Sequence, residues 1–464
     1  MYTVFMDDKF ETLPLKPELL KNLAQLKFSA MTPIQAQSLP VILNGEDIIA
    51  QAKTGSGKTA AFGLAILNSL DISIPDAHSL VLCPTRELAE QVAKEIRTLA
   101  RQLKNVKVLT ICGGVAEMHQ EKSLAYGANI IVGTPGRVLR LLTKNLLDLK
   151  SIHILVLDEA DKMLDMGFHE DIMAIKAHLP SKRQTMLFSA TYPDQIQKLS
   201  KNIQTNASVI KVDIEHDAKS ITQIFYEVER HQDKDQALLR ILGNYRPERS
   251  IVFCKTKQIT DDVAKFLNKS GIFAAAIHGD LEQNERTAVL TKFSNSSLSV
   301  LVATDVAARG LDIEQLPTVI NYDLSSDPEV YIHRIGRTGR AGQTGQAFSL
   351  FVKKATHVLD AIEELGQQKC HIEDISRLSI ENKYDLIPPM ITMYIAAGKK
   401  DKLRPGDVLG ALVNEAQLDA SAVGNIAIFN IVTFVAIKRE SINQAIDKLR
   451  VGKIKNRKFK VGLA

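Results

Sequence analysis

Ile152-His153-Ile154-Leu155-Val156-Leu157-Asp158-Glu159-Ala160-Asp161 joins an apolar run directly to three carboxylates. Its apolar run is continuous rather than alternating, as expected of a strand covered on both faces in a parallel sheet. Carboxylates at the end of such a strand stand at the sheet edge where α/β proteins bind ligands. The same chain carries Thr54-Gly55-Ser56-Gly57-Lys58-Thr59, a glycine loop that opens onto a helix beginning near Thr59. Glycines let backbone N–H groups turn onto phosphate oxygens, and the helix N-terminus favours negative charge. The loop and the carboxylates are the two halves of an ATP-hydrolysing site.

Outward from that strand, further short apolar runs at Ser79 to Cys83, Val106 to Cys112, Asn129 to Val132 and Thr185 to Phe188 read as strands, with helix-like stretches such as Glu87 to Arg101 between them. The pattern fades near Asn202 to Ser220 and restarts with Ile251 to Cys254, Ala274 to Ile277, Ser299 to Ala303 and Thr318 to Asn321. The class is parallel α/β, in two tandem domains. We expect domains at residues 1–211 and 221–386, a linker at 212–220, and a third unit at 387–464. A polar, helix-prone stretch from Lys353 to Tyr384 ends before Pro388-Pro389, where a helix would break. No internal repeat is visible.

The chain has 464 residues, 45% hydrophobic and 24% charged, an ordinary soluble composition. No apolar stretch approaches a membrane span and Met1 to Thr12 lacks the form of a secretory signal, so the cytosol is the default. Cys83, Cys112, Cys254 and Cys370 lack metal-ligand spacing and read as bland thiols. The net charge of +5 is uneven: Pro388 to Ala464 holds 13 Lys and Arg against 6 Asp and Glu. That tail suits a phosphate-rich partner through counterion release, with a solvated, solubilising face as the other reading.

In the loop, Gly55, Ser56 and Gly57 with Thr54 cradle phosphates, Lys58 reaches the terminal ones and Thr59 offers its hydroxyl to Mg²⁺. Ala52 replaces the first glycine of the usual pattern. Asp158 can hold magnesium, partly through water, and Glu159 can polarise the attacking water. Asp161 reads as an acid in the first turn of a helix.

With these residues in place the chain resembles the DEAD-box RNA helicases, in the family's motif order and over nearly its whole length. Phe10 and the stretch ending Thr32-Pro33-Ile34-Gln35 look like the adenine-sensing motif, with Met31 where the family generally has proline. Pro84-Thr85-Arg86, Gly113-Gly114 and Thr134-Pro135-Gly136-Arg137 resemble the first domain's RNA-backbone contacts. Ser189-Ala190-Thr191 resembles the element that couples hydrolysis to strand separation, as does His333. Lys255 and Thr256, Gly279, and Thr304 match RNA contacts of the second domain. The resemblance implies two tandem RecA-like domains, ATP and Mg²⁺ as cofactors, Gly310 and Asp312 near the ribose, and Arg337 and Arg340 as arginine fingers on the γ-phosphate. Such fingers are worth ~10³ to 10⁵ in rate in related phosphoryl-transfer systems.

From Met390 onward the order strand, helix, two strands, helix, strand suits a small α+β, RRM-like domain, similar to that of the DbpA subgroup at Gly398-Lys399-Lys400, Arg404 to Leu412 and Val451 to Lys455. The subgroup is associated with a hairpin of large-subunit ribosomal RNA near the peptidyl-transferase centre, and so with pre-ribosomal particles. Phe434-Val435-Ala436-Ile437 resembles the end of the RRM signature, but its two other ring positions are missing. We therefore expect Lys453, Lys455 and Arg457, with Lys458 and Lys460, to form an edge or loop surface for folded RNA. Three readings follow: an RNA-stimulated ATPase that locally separates short duplexes, targeted to ribosomal RNA; an ATP-dependent RNA clamp with little unwinding; and a DNA translocase of the wider superfamily. A monomer is favoured.

Overall fold

The computed structural model describes residues 8–52, 55–74, 76–114, 116–192, 194–212, 221–308, 316–339, 344–366 and 369–464. They form two compact units, the second holding the third domain as well.

The first unit is built on strands β1 (Ile48–Gln51), β2 (Ser79–Leu82), β3 (Val108–Ile111), β4 (Ile130–Gly133), β5 (Ile154–Leu157), β6 (Gln184–Ser189) and β7 (Ser208–Lys211). All pair in parallel, in the order β3-β4-β2-β5-β6-β1-β7. Strands β2, β4 and β5 are buried at every position. Two apolar cores, one on each face, divide their residues: Val81, Val156 and Phe188 point one way, Leu80, Leu155 and Leu187 the other. This double burial is why the runs read as continuous.

The second unit repeats the plan with β8 (Ile221–Val228), β9 (Ser250–Cys254), β10 (Ala274–Ile277), β11 (Val300–Thr304), β12 (Thr318–Asn321), β13 (Gly345–Val352) and β14 (Ile372–Asp374), ordered β10-β11-β9-β12-β13-β8-β14. Numbered from its own first strand, this is the same topology as the first sheet. The repeat is one of fold, carried by different residues, so the sequence shows none. The helix-prone stretch is also corrected. Its helix covers only Thr356–Gly366, the chain then enters β14, and the segment beyond packs back, with Tyr384 donating to the Pro247 carbonyl at 2.6 Å.

The third domain is an antiparallel sheet of β15 (Met390–Ile395), β16 (Val423–Ile428), β17 (Thr433–Lys438) and β18 (Val461–Leu463), ordered β16-β17-β15-β18. One face packs on the helices Pro405–Gly410 and Ile442–Val451 through Met393, Ile395, Val435 and Ile437. Part of the other face lies against the second parallel-sheet domain. Thr392, 2% exposed, meets Asn295 Nδ2 at 3.2 Å and Ser297 Oγ at 2.7 Å, and Asn425 donates to Asn295 Oδ1 at 3.1 Å. The Arg439 guanidinium lies 4.8 Å from the centre of the Phe273 ring. Each neutral hydrogen bond of this kind contributes about 0.5–1.5 kcal/mol, so the mounting is specific without being strong. Among the described residues no helix is long and apolar enough to cross a membrane.

Candidate active site

Strand order brings the first unit's candidates together. The glycine loop follows β1, Asp158 follows β5 and Ser189 ends β6, and these three strands are neighbours in the order β5-β6-β1. All three leave the sheet at the carboxyl edge, the ligand edge of an open parallel sheet.

Gly55 and Gly57 hold φ of 81° and 93°, a left-handed backbone open to glycine at little cost. Gly57 caps the helix Lys58–Ser69, so the loop's last N–H groups and the helix dipole face one point. A Cβ on Gly57 would collide with the Gln35 amide and come within 3.0 Å of Thr32 Oγ1. Lys58, buried, donates to the Ala52 carbonyl at 3.0 Å. Thr59 is the next residue of the helix, and Ser56 lies in the loop between the glycines. Thr54 lies outside the described residues.

Gln35 ties this loop to the segment expected to sense adenine. Its Oε1 accepts from the Thr32 N–H at 2.9 Å and its Nε2 donates to the Gly57 carbonyl at 3.0 Å. A glutamine amide has two acceptor sites and two donor hydrogens, so one of each is left. That remainder complements adenine's N6–H donor and N7 acceptor, and it mismatches guanine, which presents two acceptors there. Phe10 is 3% exposed, packed edge-to-face on Phe28 at 6.2 Å between ring centres.

The carboxylates are buried: Asp158 and Glu159 are each 3% exposed. Glu159 has φ 53° and ψ 52°, a left-handed conformation that costs a non-glycine residue of order 1–2 kcal/mol. The kink turns the chain from β5 into the helix Ala160–Asp165. Glu159 Oε1 pairs with Lys162 Nζ at 2.9 Å. Asp161 proves to be more than a first-turn acid. Its Oδ2 accepts from the N–H groups of Ala190 and Thr191, both at 3.0 Å, and from Thr191 Oγ1 at 3.2 Å. One carboxylate thus joins the two motifs directly. Burial opposes its charge, yet Lys162, Lys58 and the backbone N–H groups of Lys162 and Thr191 hold the Asp161 carboxyl below its usual value.

Asp158 goes the other way. Burial, against the pull of Lys58, raises its carboxyl to about 6. Its Oδ1 is buried with no hydrogen-bond partner. With the Thr59 hydroxyl it offers hard oxygen donors, and among the described residues no group of three or more His, Cys, Asp or Glu could hold a metal. This sparse oxygen set fits Mg²⁺, which keeps most of its waters. The raised carboxyl has a stability cost with a defined sign. Below pH ~4 Asp158 is protonated folded or unfolded and the cost is absent. As pH rises through about 6 it ionises in the folded state, and the full cost of roughly 3 kcal/mol appears. Asp158→Asn should therefore raise the Tm of the nucleotide-free, metal-free protein by several degrees at pH 7.5 and by less at pH 5. A gain independent of pH would contradict this origin.

The candidate RNA contacts lie on the other half of each sheet, after β2, β3 and β4 in the first and β9, β10 and β11 in the second. In the first unit they are joined. Thr85 caps the helix Arg86–Leu99, accepting from the Leu88 N–H at 3.3 Å, and Pro84 before it is buried. Arg86 donates to the Gly113 carbonyl at 3.3 Å, Gln120 to the Cys112 carbonyl at 2.8 Å, and Arg137 to Gln120 Oε1 at 3.1 Å. Gln120 is a residue sequence reading missed, being polar and unremarkable until the fold buries it. Gly114 has φ 73°, and Thr134, Pro135 and Gly136 open the helix Pro135–Thr143.

In the second unit Lys255 is exposed, Thr256 caps the helix Lys257–Lys269, Gly279 is exposed and Thr304 ends β11, buried. Arg334 makes a two-pronged pair with Asp305, at 2.6 and 2.8 Å. That pair anchors the helix Pro328–Ile335, on which His333 lies and after which Arg337 follows, buried. Gly310, Asp312 and Arg340 lie outside the described residues.

In the third domain Lys453 is exposed, whereas Lys455 reaches the Lys402 carbonyl at 3.0 Å and Arg457 pairs with Asp401 at 3.2 Å. The expected basic edge is therefore partly neutralised. Sequence reading missed a ring: Tyr394 on β15 stands directly opposite Phe434 on β17, on the face away from the helices, beyond the end covered by Asn295. Only the strand register makes that pair visible.

Residues 32–199 match the DEAD/DEAH box helicase family, 233–342 the helicase conserved C-terminal domain, and 392–463 the DbpA RNA binding domain. The chain is 45% identical over 461 residues to the ATP-dependent RNA helicase DbpA of Escherichia coli (strain K12), covering 98% of this chain and 99% of that protein. It is 44% identical to the DEAD-box ATP-dependent RNA helicase CshA of Geobacillus kaustophilus (strain HTA426), over 78% of this chain and 77% of that one. Among solved structures it is similar to S. cerevisiae Dbp5 bound to RNA and ADP BeF3, with TM-score 0.73 and 34% identity over 79% of this chain and 96% of that one. It is also similar to Mss116p bound to ssRNA and AMP-PNP, with TM-score 0.71 and 28% identity over 79% and 78%.

Proposed function

Because the chain belongs to the DEAD-box ATP-dependent RNA helicases, in the DbpA subgroup, we propose that it opens short duplexes in large-subunit ribosomal RNA during ribosome assembly. That it is an ATP-dependent RNA helicase, with RNA as its partner, stands on the family itself. The observation that carries the finer reading is the DbpA RNA binding domain at residues 392–463.

Residue roles follow the chemistry. The loop from Thr54 to Thr59 cradles the phosphates, Gln35 reads adenine beside Phe10, and Gly310 and Asp312 meet the ribose. Thr59 and Asp158 hold Mg²⁺, which when bound neutralises phosphate charge. Glu159 takes the proton of the attacking water, while Lys58, Arg337 and Arg340 stabilise charge on the transferring phosphoryl group. Asp161 passes the state of the carboxylates to Ser189 and Thr191, with His333 as a further coupling residue. The RNA set of Pro84, Thr85, Arg86, Gly114, Thr134 to Arg137, Lys255, Thr256, Gly279 and Thr304 offers donors to phosphates and 2′-hydroxyls rather than a base-reading set. Residues 1–211 and 221–386 then form the motor and 387–464 the address.

The test is ATP hydrolysis by the full chain with three activators of equal length: a large-subunit ribosomal RNA fragment, an unrelated RNA, and DNA of the fragment's sequence. We expect activity at limiting activator to fall in that order. Equal activation by the two RNAs would remove the ribosomal reading, and equal activation by DNA would favour a translocase. Strand displacement on short duplexes separates a helicase from a clamp.

A further inference from the structure

We propose that Lys162 is a positioning residue for hydrolysis, holding the Glu159 carboxylate in the geometry from which it takes the water's proton. The inference rests on the role given to Glu159 above. Lys162 Nζ lies 2.9 Å from Glu159 Oε1, and the two side chains are 6% and 4% exposed. Lys162 is buried among carboxylates, and Glu159 is the one it pairs with. Lysines are almost never buried unless paired. Lys162 is the third residue of the helix Ala160–Asp165, one turn on from Glu159, which brings its ammonium back to that carboxylate.

The arrangement gains rigidity for the reacting group. Glu159 occupies a left-handed kink before that helix, and its long side chain would otherwise sample several rotamers. Lys162 anchors one carboxylate oxygen from the helix that Glu159 itself caps. That helix is fixed in turn, because Asp161, next to Lys162, receives the Ala190 and Thr191 N–H groups. The ammonium also lowers the carboxyls of Asp158 and Asp161, which places it inside the carboxylate cluster.

The experiment compares K162M, K162Q, E159Q and the E159Q/K162M double variant of the full chain at saturating RNA, with kcat and KM for ATP measured for each. We expect K162M to lower kcat by ~10- to 100-fold, the scale of a misplaced catalytic group, with KM for ATP nearly unchanged. K162Q, which keeps a donor, should retain more of kcat. In the E159Q background K162M should cost nothing further, whereas a merely structural lysine would lower both backgrounds alike. A parental kcat in K162M, a loss confined to KM, or an equal loss in both backgrounds overturns the proposal. If K162M does not fold, K162Q decides by the same criteria. Failure of the premise is seen separately, as parental turnover by E159Q alone.

Discussion

Glu159→Gln is expected to reduce RNA-stimulated ATP turnover by ~10²- to 10⁴-fold, the usual worth of a positioned general base, while ATP-dependent RNA binding survives. The substitution keeps the side chain's shape in a site that is almost closed to solvent, and it leaves the phosphate cradle alone: Gly57, Lys58 and Gln35 keep their contacts. What it removes is the charge that accepts a proton and the partner of Lys162. A pure binding defect would raise KM; loss of a proton acceptor lowers kcat. Anisotropy with labelled RNA and a non-hydrolysable ATP analogue checks the binding half, and steady-state hydrolysis checks the other. Parental turnover in the variant would sink the assignment of Glu159.

Asp158 and Glu159 are adjacent and equally buried, yet their surroundings differ. Asp158 Oδ1 has no partner and its carboxyl is pushed up to about 6, whereas Glu159 is paired with a buried lysine. This suits two roles. An oxygen left without a partner is stabilised when a cation arrives, and a carboxylate anchored by a lysine is held in place. On the proposed role of Asp158, the stability its burial costs would be recovered on binding Mg²⁺, a common cost of function.

The parallel sheets were legible where strands are buried on both faces. Ile154 to Leu157 and Ile251 to Cys254 read as strands because every residue in them is apolar and buried. Strand β8 did not, because Gln223 and Glu227 interrupt its apolar residues beside the three-residue edge strand β14. Strand β1 is four residues long and was eclipsed by the loop it feeds. The glycine loop and the two carboxylates could be found by adjacency in the chain. The link from Asp161 to Ala190 and Thr191 could not, since it joins residues about thirty apart through the neighbouring ends of β5 and β6. Tyr394 and Phe434 lie forty positions apart and meet only through antiparallel register.

That register bears on how RNA is chosen. On the sheet face away from the helices, the end carrying Thr392 is already covered by Asn295 and Ser297, which leaves the half-buried Tyr394 ring at the other end, beside a Phe434 that is itself buried against Phe429. Base stacking on one such ring is worth about 1–3 kcal/mol, enough for a preference if a folded RNA also meets Lys453 and its neighbours. The second domain offers no comparable ring among its candidate contacts, and a contact from its exposed Lys255 to phosphate would be alike in any sequence.

The most direct measurement of the central claim, an indifferent motor with a separate address, is ATPase activation in the full chain and in a chain ending at Leu386. Each is titrated with a large-subunit ribosomal RNA fragment and with an unrelated transcript of the same length. The full chain should reach half-activation at ~10-fold or more lower concentration of the ribosomal fragment, the equivalent of at least about 1.4 kcal/mol of selective contact. The shortened chain should respond equally and weakly to both RNAs. A shortened chain that still hydrolyses ATP and still prefers the ribosomal fragment would place the address in the motor and contradict the account.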